Sequence, residues 1–268
     1  MDLPKNKFKQ ALLAGEIQYG LWLGLPDSTC AEIAAGAGFD WLLIDMEHAP
    51  FEVRSAFSHL QAISAYPTSA IVRPLYGERN ILKQLLDIGV QTFLVPNVDT
   101  PEQAEELVRA CRYPPEGIRG LGTSLARAAN WNRIPGYLKK ANKEICLIVQ
   151  AESTLAIENL GAIARVEGVD AVFIGPSDLS ASMGHIGDAG NPEVVEVIEQ
   201  GFKTIKAAGK AAGVLAIDPA LVESYIDKGA SFVGVGVDSM ILANATLRLA
   251  QQFCGDGPLE DEQPQAGY

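Results

Sequence analysis

Eight apolar runs, each followed by a stretch of helical period, recur along 268 residues with no dividing linker. This rhythm predicts a parallel α/β protein, and eight repeats in one series favour closure into a single (β/α)8 barrel. The runs are continuously apolar, as strands covered on both faces require. A second observation agrees with the first. Asp45, His48, Arg73, Gln150, Glu152, Ser177 and Asp178 all fall at or just beyond the C-terminal ends of these runs, the face on which parallel barrels carry their chemistry.

The elements follow in order. Residues 5–14 read as a short amphipathic helix ending at Gly15, ahead of the repeat. A strand over 18–25 leads to a helix through Ala35, N-capped by Asp27 or Ser28 and closed by Gly36 and Gly38. A strand over 39–45 precedes a helix over 51–64; a third over 69–73, stopped by Pro74, precedes a helix that ends at Asp87 and Gly89. The strand over 92–96 is followed by a helix starting at Pro101 after Thr100, with proline in the N1 position, and running to about Cys111. Residues 112–136 carry Arg112, Arg119, Arg127 and Arg133 with four glycines and no period, so they form a long loop of the kind that is usually functional. Strands at 145–152 and from Val169 flank a helix over 153–164 capped by Ser153 or Thr154. A Gly-rich loop runs from Asp178 to Asn191, then a helix over 192–208, a strand over 211–217, a helix over 218–227, a strand over 231–235 and a last helix over 238–253. The barrel is therefore expected over 1–254, with an acidic tail over 255–268 that is mobile or draped on a partner.

Composition narrows the function. A hydrophobic fraction of 48% with 20% charged residues belongs to a compact soluble protein. The net charge of -12 excludes a phosphate-backbone binder, so nucleic acid is not a partner. No apolar run approaches the roughly 20 residues that span a bilayer, and the N-terminus lacks the apolar core of a signal peptide, which points to the cytoplasm and to no membrane partner. The cysteines, Cys30, Cys111, Cys146 and Cys254, form no C-x-x-C pair and read as structural.

Glu152 and Asp178 each follow a buried strand and can face one another across the mouth of the barrel. Two close carboxylates repel unless one is protonated or a cation lies between them. Each acid alone can be a solvated loop acid or a helix cap; together they point to a divalent metal. A donor set with one Glu, one Asp and no cysteine is hard and oxygen-rich, which suits Mg²⁺ or Mn²⁺, and also Co²⁺. Arg73 ends an apolar strand, where its forked guanidinium can grip a carboxylate or an enolate oxygen, or else form a structural ion pair with an acid such as Glu47. His48 follows Asp45 by three residues, close enough for the carboxylate to orient the imidazole or a water it contacts, and can also be a plain loop hydrogen-bonder. His59, within a helix, and His185, in the Gly-rich loop, are read as structural. No lysine ends a strand, so a metal rather than an imine is the electron sink.

These residues sit in segments that resemble a known family. Leu43-Ile-Asp-Met-Glu-His-Ala-Pro50, Val72-Arg-Pro74, the stretch from Arg119 to Ala129, Val149-Gln-Ala-Glu-Ser153 and Phe173-Ile-Gly-Pro-Ser-Asp-Leu-Ser180 resemble the metal-dependent class II pyruvate aldolases. Within these, the chain is similar to the 4-hydroxy-2-oxoheptanedioate aldolase family, which includes 2-dehydro-3-deoxyglucarate and 2-keto-3-deoxy-L-rhamnonate aldolases. The similarity covers about residues 5–252 in order and spacing. The resemblance implies a (β/α)8 barrel that binds pyruvate on a divalent metal and joins its enolate reversibly to an aldehyde. It implies Glu152 and Asp178 as metal ligands, Arg73 as the group that contacts the ketoacid, and His48 with Asp45 as the acid/base pair acting through water. It further implies Gln150, Ala151, Ser177 and Leu215 at the substrate, and Asp87 near the site, from a neighbouring subunit if not from the same one. A homo-oligomer is implied too, a hexamer built as a trimer of dimers with the last helix exchanged. Ser177 departs from members that carry alanine there, and the acidic extension after Gly255 lies outside the pattern.

The expected reaction is retro-aldol cleavage of a 4-hydroxy-2-oxo acid to pyruvate and an aldehyde. Two other readings compete with it. A metal-enolate lyase of the citryl or malyl type would need a basic groove for CoA phosphates, of which the arginines of 112–136 are the only sign. A non-catalytic barrel would have no physical need for Asp45, His48, Arg73, Glu152 and Asp178 together.

Overall fold

The structure is a computed structural model that describes residues 2–255. From the N-terminus the elements are α1 (Lys7–Ala14), β1 (Gln18–Leu23), α2 (Ser28–Ala35), β2 (Trp41–Asp45), α3 (Val53–Ile63), β3 (Ser69–Arg73), α4 (Arg79–Ile88), β4 (Thr92–Val95) and α5 (Pro101–Cys111). They continue with α6 (Tyr137–Lys140), β5 (Cys146–Ala151), α7 (Thr154–Arg165), β6 (Ala171–Ile174), α8 (Pro176–Ser182), α9 (Pro192–Ala207), β7 (Ala211–Leu215), α10 (Pro219–Lys228), β8 (Ala230–Val237) and α11 (Asp238–Cys254). The strands close in sequence order into an eight-stranded barrel whose pairs, including β1 with β8, are parallel. The expected (β/α)8 barrel with an extra N-terminal helix is the fold observed.

Local chemistry sets the element boundaries. Asp27 rather than Ser28 caps α2, accepting from the Thr29 amide, and Ser153 rather than Thr154 caps α7, accepting from the Ala156 amide. Thr100 and Gln103 form a reciprocal capping box that brackets Pro101 at the start of α5. Two segments read as loops hold more order than expected. The stretch after β6 begins as the helix α8, which Pro176 starts and whose seven residues are too few for a periodic signal among the glycines that follow. Residues 112–136 contain a 3-10 turn at Arg127–Ala129 and fold around the buried Arg119, whose guanidinium stacks over the Tyr113 ring at 4.3 Å.

The core has two shells. Outward side chains of the strands meet the helices, while inward ones fill the barrel with Trp22, Trp41, Leu43, Ile71, Leu94, Cys146, Ile148, Phe173, Leu215 and Phe232. Gly20 and Gly213 make room for the largest of them: a Cβ on Gly20 would lie 2.0 Å from the Trp41 ring, and one on Gly213 would lie 2.2 Å from the Phe232 ring. The N-terminal end of the barrel is closed by α1. Its Phe8 is fully buried and meets Trp41 and Phe232 edge to face at 6.3 and 5.6 Å. Asn6 anchors the helix start by donating to Thr92 Oγ1 and to the Glu144 carbonyl.

The last helix is different from the rest. On α11 the side chains of Ile241, Leu242, Leu249 and Phe253 are 52–75% exposed, so one chain leaves this apolar surface uncovered. No helix among the described residues is long and apolar enough to cross a membrane. The tail expected over 255–268 lies, apart from Gly255, outside the described residues.

Because Phe8 closes the interior from below, Phe8→Ala is expected to destabilise the fold by about 3–5 kcal/mol. Denaturant unfolding monitored by tryptophan fluorescence measures it, and a change below about 1 kcal/mol would show that α1 is dispensable to the core.

Candidate active site

The side-chain alternation of a strand decides what reaches the mouth. In β2 the inward residues are Trp41, Leu43 and Asp45; in β3 they include Ile71 and Arg73; in β5 they are Cys146, Ile148 and Gln150. The last inward residue of each is polar. Asp45 and Arg73 are direct partners in the β2–β3 register, and their side chains meet in a buried fork: Arg73 Nε donates to Asp45 Oδ1 at 2.9 Å and Nη2 to Oδ2 at 2.6 Å. On its other edge, Arg73 Nη1 lies 3.0 Å from Glu47 Oε2 as an ion pair, although that oxygen accepts no well-aligned hydrogen bond. Burial opposes the Arg73 charge, but the bond and charge of Asp45 together with the charges of Glu47 and Glu152 outweigh it, so the guanidinium pKa is raised.

Glu152 lies across the mouth, one step past β5. Its Oε1 accepts from the Asn97 backbone amide at 2.7 Å and its Oε2 accepts a short hydrogen bond from Gln150 Nε2. Burial, with the nearby charges of Glu47 and Asp178, pushes the Glu152 pKa up to about 7 against the pull of those two donors. Burial likewise raises Glu47, with Arg73 and His48 acting against it. Gly175 leaves the space that Glu152 occupies, since a Cβ there would come within 2.7 Å of Oε2. A cavity of about 220 Å³ opens over this group, lined by Trp22, His48, Arg73, Gln150, Phe173, Gly175, Pro176, Ser177, Asp178 and Leu215.

The donors fit a hard divalent cation. Glu152, Asp178 and Glu47 are close enough for their charges to act on one another, and Gln150 Oε1 is buried without a partner. Every one of these atoms is an oxygen. Among the described residues no group of three or more His, Cys, Asp or Glu side chains is placed to hold an ion. The oxygens at the mouth are hard donors, of the kind that a divalent cation such as Mg²⁺ or Mn²⁺ would take together with water.

Residues 18–245 match the family described as HpcH/HpaI aldolase/citrate lyase. The chain belongs to this family. It is 58% identical to the hydroxypyruvate/pyruvate aldolase of Deinococcus radiodurans, over 100% of this chain and 97% of that one. It is 54% identical to a 4-hydroxy-2-oxo-heptane-1,7-dioate aldolase of Escherichia coli, over 93% of this chain and 95% of the relative. Among solved structures, an HpcH/HpaI aldolase/citrate lyase family protein from Burkholderia cenocepacia superposes with a TM-score of 0.89 at 38% identity, covering 94% of this chain and 100% of that one.

For a member of this family the sequence-derived residues fall into three groups. Arg73, His48, Gln150, Ser177, Asp178 and Leu215 line one cavity, with Glu152 bonded to its lining residue Gln150 and the buried Ala151 carbonyl accepting from the Gly175 amide at 3.1 Å. Asp45 is at the same mouth but bonds differently from expectation: Oδ1 accepts from the Glu47 and His48 amides at 3.0 and 3.4 Å, and the acid nearest the imidazole is Glu47, 3.8 Å from Nε2. Asp87 is apart from both groups. It ends α4, which descends from the mouth toward the start of β4, and there it pairs with Arg119 Nη2 at 2.8 Å. A single chain does not bring Asp87 to the cavity.

Sequence reasoning missed Trp22, Asn97, Phe173 and Gly175 as parts of this site. Trp22 forms a wall, with the Arg73 guanidinium 5.7 Å from its ring centre. Inward parity in the strands would have found Trp22 and Phe173. Asn97 carries a signal only in its backbone, a left-handed φ of 58°.

A carboxyl that titrates near 7 when folded and near 4.5 when unfolded keeps its proton longer in the folded state. Stability of the metal-free protein is then fully supported below about pH 4.5 and declines as pH rises toward 7. Glu152→Gln removes this loss, and Gln150, with a free amide oxygen, can turn to receive the new NH₂. In chelator at about pH 8 the variant is expected to be more stable than wild type, by up to about 3 kcal/mol. Equal stability of the two proteins across pH 5–8 in thermal unfolding would contradict the raised Glu152 pKa.

Proposed function

We propose that the chain catalyses the reversible aldol cleavage of 4-hydroxy-2-oxo acids to pyruvate, or its 3-hydroxy analogue, and an aldehyde. It is a carbon–carbon lyase of the aldolase type, as its relatives are. The observation that carries the reading is a guanidinium fixed on two edges by Asp45 and Glu47, which lines one cavity together with the acid Asp178 and stands within charge range of Glu152. No lysine lines that cavity, so an imine with the 2-oxo group has no amine to form from.

Glu152 and Asp178 would hold a divalent cation, Mg²⁺, Mn²⁺ or Co²⁺, which supplies Lewis-acid polarisation of the 2-oxo group. Arg73 adds a second positive charge, aimed where the 2-oxo oxygen gains negative charge as the C3–C4 bond breaks. His48, at the open side of the cavity with its side chain 54% exposed, takes the C4 hydroxyl proton through water. The electron pair of the C3–C4 bond passes into the pyruvate enolate and the aldehyde departs. Protonation at C3 then gives the methyl group of pyruvate. Trp22, Phe173 and Leu215 form the apolar walls that keep bulk water from the enolate.

The reading extends to assembly. A homo-hexamer with α11 exchanged would cover Ile241, Leu242, Leu249 and Phe253, which one chain leaves exposed, and would offer Asp87 to a neighbour's mouth. Light scattering should return a hexamer mass, and a monomer at micromolar concentration would reject this arrangement.

Arg73→Lys keeps a charge but loses the fork held by Asp45, so it is expected to lower kcat/KM by roughly 10²–10³ while Mn²⁺ affinity, read from the free-ion EPR signal, stays close to wild type. Glu152→Ala should lose both affinity and turnover. Wild-type cleavage by either variant in saturating metal would end the role assigned to that residue.

A further inference from the structure

Asn97 follows Pro96 at the end of β4 and, among the described residues, is the one non-glycine residue with positive φ beside the candidate site; the others, Asn130, Trp131 and Asn132, lie in the loop before α6. A left-handed turn is costly for most side chains, and asparagine tolerates it better than nearly all others. A cost of this kind persists only where the surroundings enforce it. Here the turn aims the Asn97 amide N–H at Glu152 Oε1, at 2.7 Å, while the next amide, that of Val98, donates to the Gln150 carbonyl at 3.1 Å. The Asn97 side chain reaches the other way, its Nδ2 donating to Glu47 Oε1 at 3.2 Å. Glu47 in turn is paired with Arg73.

One residue thus touches the acid assigned to the cation and the acid that holds the arginine. We infer that Asn97 is a positioning residue of the aldolase site, whose left-handed turn fixes the Glu152 carboxylate through the backbone while its amide side chain fixes Glu47. The inference rests on the assignment of Glu152 to the cation. The two halves of the role are separable, because the first needs only the backbone conformation and the second needs only the side chain. Glycine adopts the turn without strain and lacks the amide; valine carries a β-branch that opposes the turn.

The test uses the full-length chain and Mn²⁺ as the probe, with free Mn²⁺ followed by EPR and steady-state kinetics run at saturating metal. Asn97→Gly is expected to keep Mn²⁺ affinity within about threefold of wild type and to lose severalfold in kcat/KM, because Glu47 is released. Asn97→Val is expected to weaken Mn²⁺ binding by roughly tenfold or more, the usual effect of removing a hydrogen bond to a metal ligand. If the valine variant does not fold, Asn97→Ala, which bears a smaller form of the same backbone penalty, replaces it. Wild-type Mn²⁺ affinity in the valine or alanine variant, or an equal loss in the glycine variant, overturns the backbone role; wild-type kcat/KM in the glycine variant overturns the link to Glu47. Glu152→Ala run alongside separates the two levels: if it keeps Mn²⁺ affinity, the cation assignment has failed, whereas if it loses affinity while all Asn97 variants behave as wild type, only the Asn97 inference has failed.

Discussion

Everything at the mouth of this barrel depends on the parity of its strands. A side chain two residues further along a strand points the same way, so the residues that fill the interior dictate which ones emerge above it. Trp41 and Leu43 commit Asp45 to the inside, Ile71 commits Arg73, and Ile148 commits Gln150. A one-residue slip between β2 and β3 would bury the aromatic core in the helical layer and separate Asp45 from Arg73, which are register partners. Stability and site geometry therefore share one constraint. Phe8 contributes from below by fixing the lowest layer, against Trp41 and Phe232.

The second constraint is electrostatic. Asp45, Glu47, Glu152 and Asp178 crowd one mouth, and the buried cation among them is Arg73. Burial raises the pKa of Glu47 and Glu152, and the charges of the neighbouring acids add to both shifts. Such a surplus of acids in a partly desolvated cavity destabilises the chain alone and favours the binding of positive charge. The interior tolerates it because the three less exposed acids are tied elsewhere, Asp45 to two backbone amides, Glu152 to the Asn97 amide and Gln150, and Glu47 to Asn97 and Arg73, while Asp178 is exposed.

Most of the barrel was legible because its signals are local and repeated. The strand at 69–73 and the helix from Pro101 to Cys111 coincide with the observed elements, since proline, capping threonine and an apolar run each mark a boundary. What escaped has a physical reason in each case. The seven residues of α8 offer less than two helical turns of pattern. Among the site residues, Arg73 and Glu152 announced themselves as charges at the ends of apolar strands, whereas Trp22 and Phe173 looked like any core aromatic. Gly175 matters through an absent Cβ, and the left-handed turn of Asn97 has no counterpart in side-chain chemistry. The bonding of Asp45 could not be read from spacing, because a separation of three positions between Asp45 and His48 allows contact with either the ring or the backbone.

Arg73 had two sequence readings, a structural ion pair or a group for substrate, and the geometry makes them compatible. A guanidinium carries five N–H donors. Two of them form the fork to Asp45 and Nη1 faces Glu47, so no more than three are directed at carboxylates, and two are left over on a residue that lines the cavity. Holding the group with two acids removes most of its rotamer freedom before a ligand arrives, and a preorganised donor gives more to a developing oxyanion than one that must be ordered in the act. A lysine at this position would have one nitrogen to divide among the same partners. In the proposed reaction the ion pair to Asp45 and Glu47 would thus be the means by which the remaining edge of Arg73 is aimed, and the structural reading of this residue would be a condition of the chemical one.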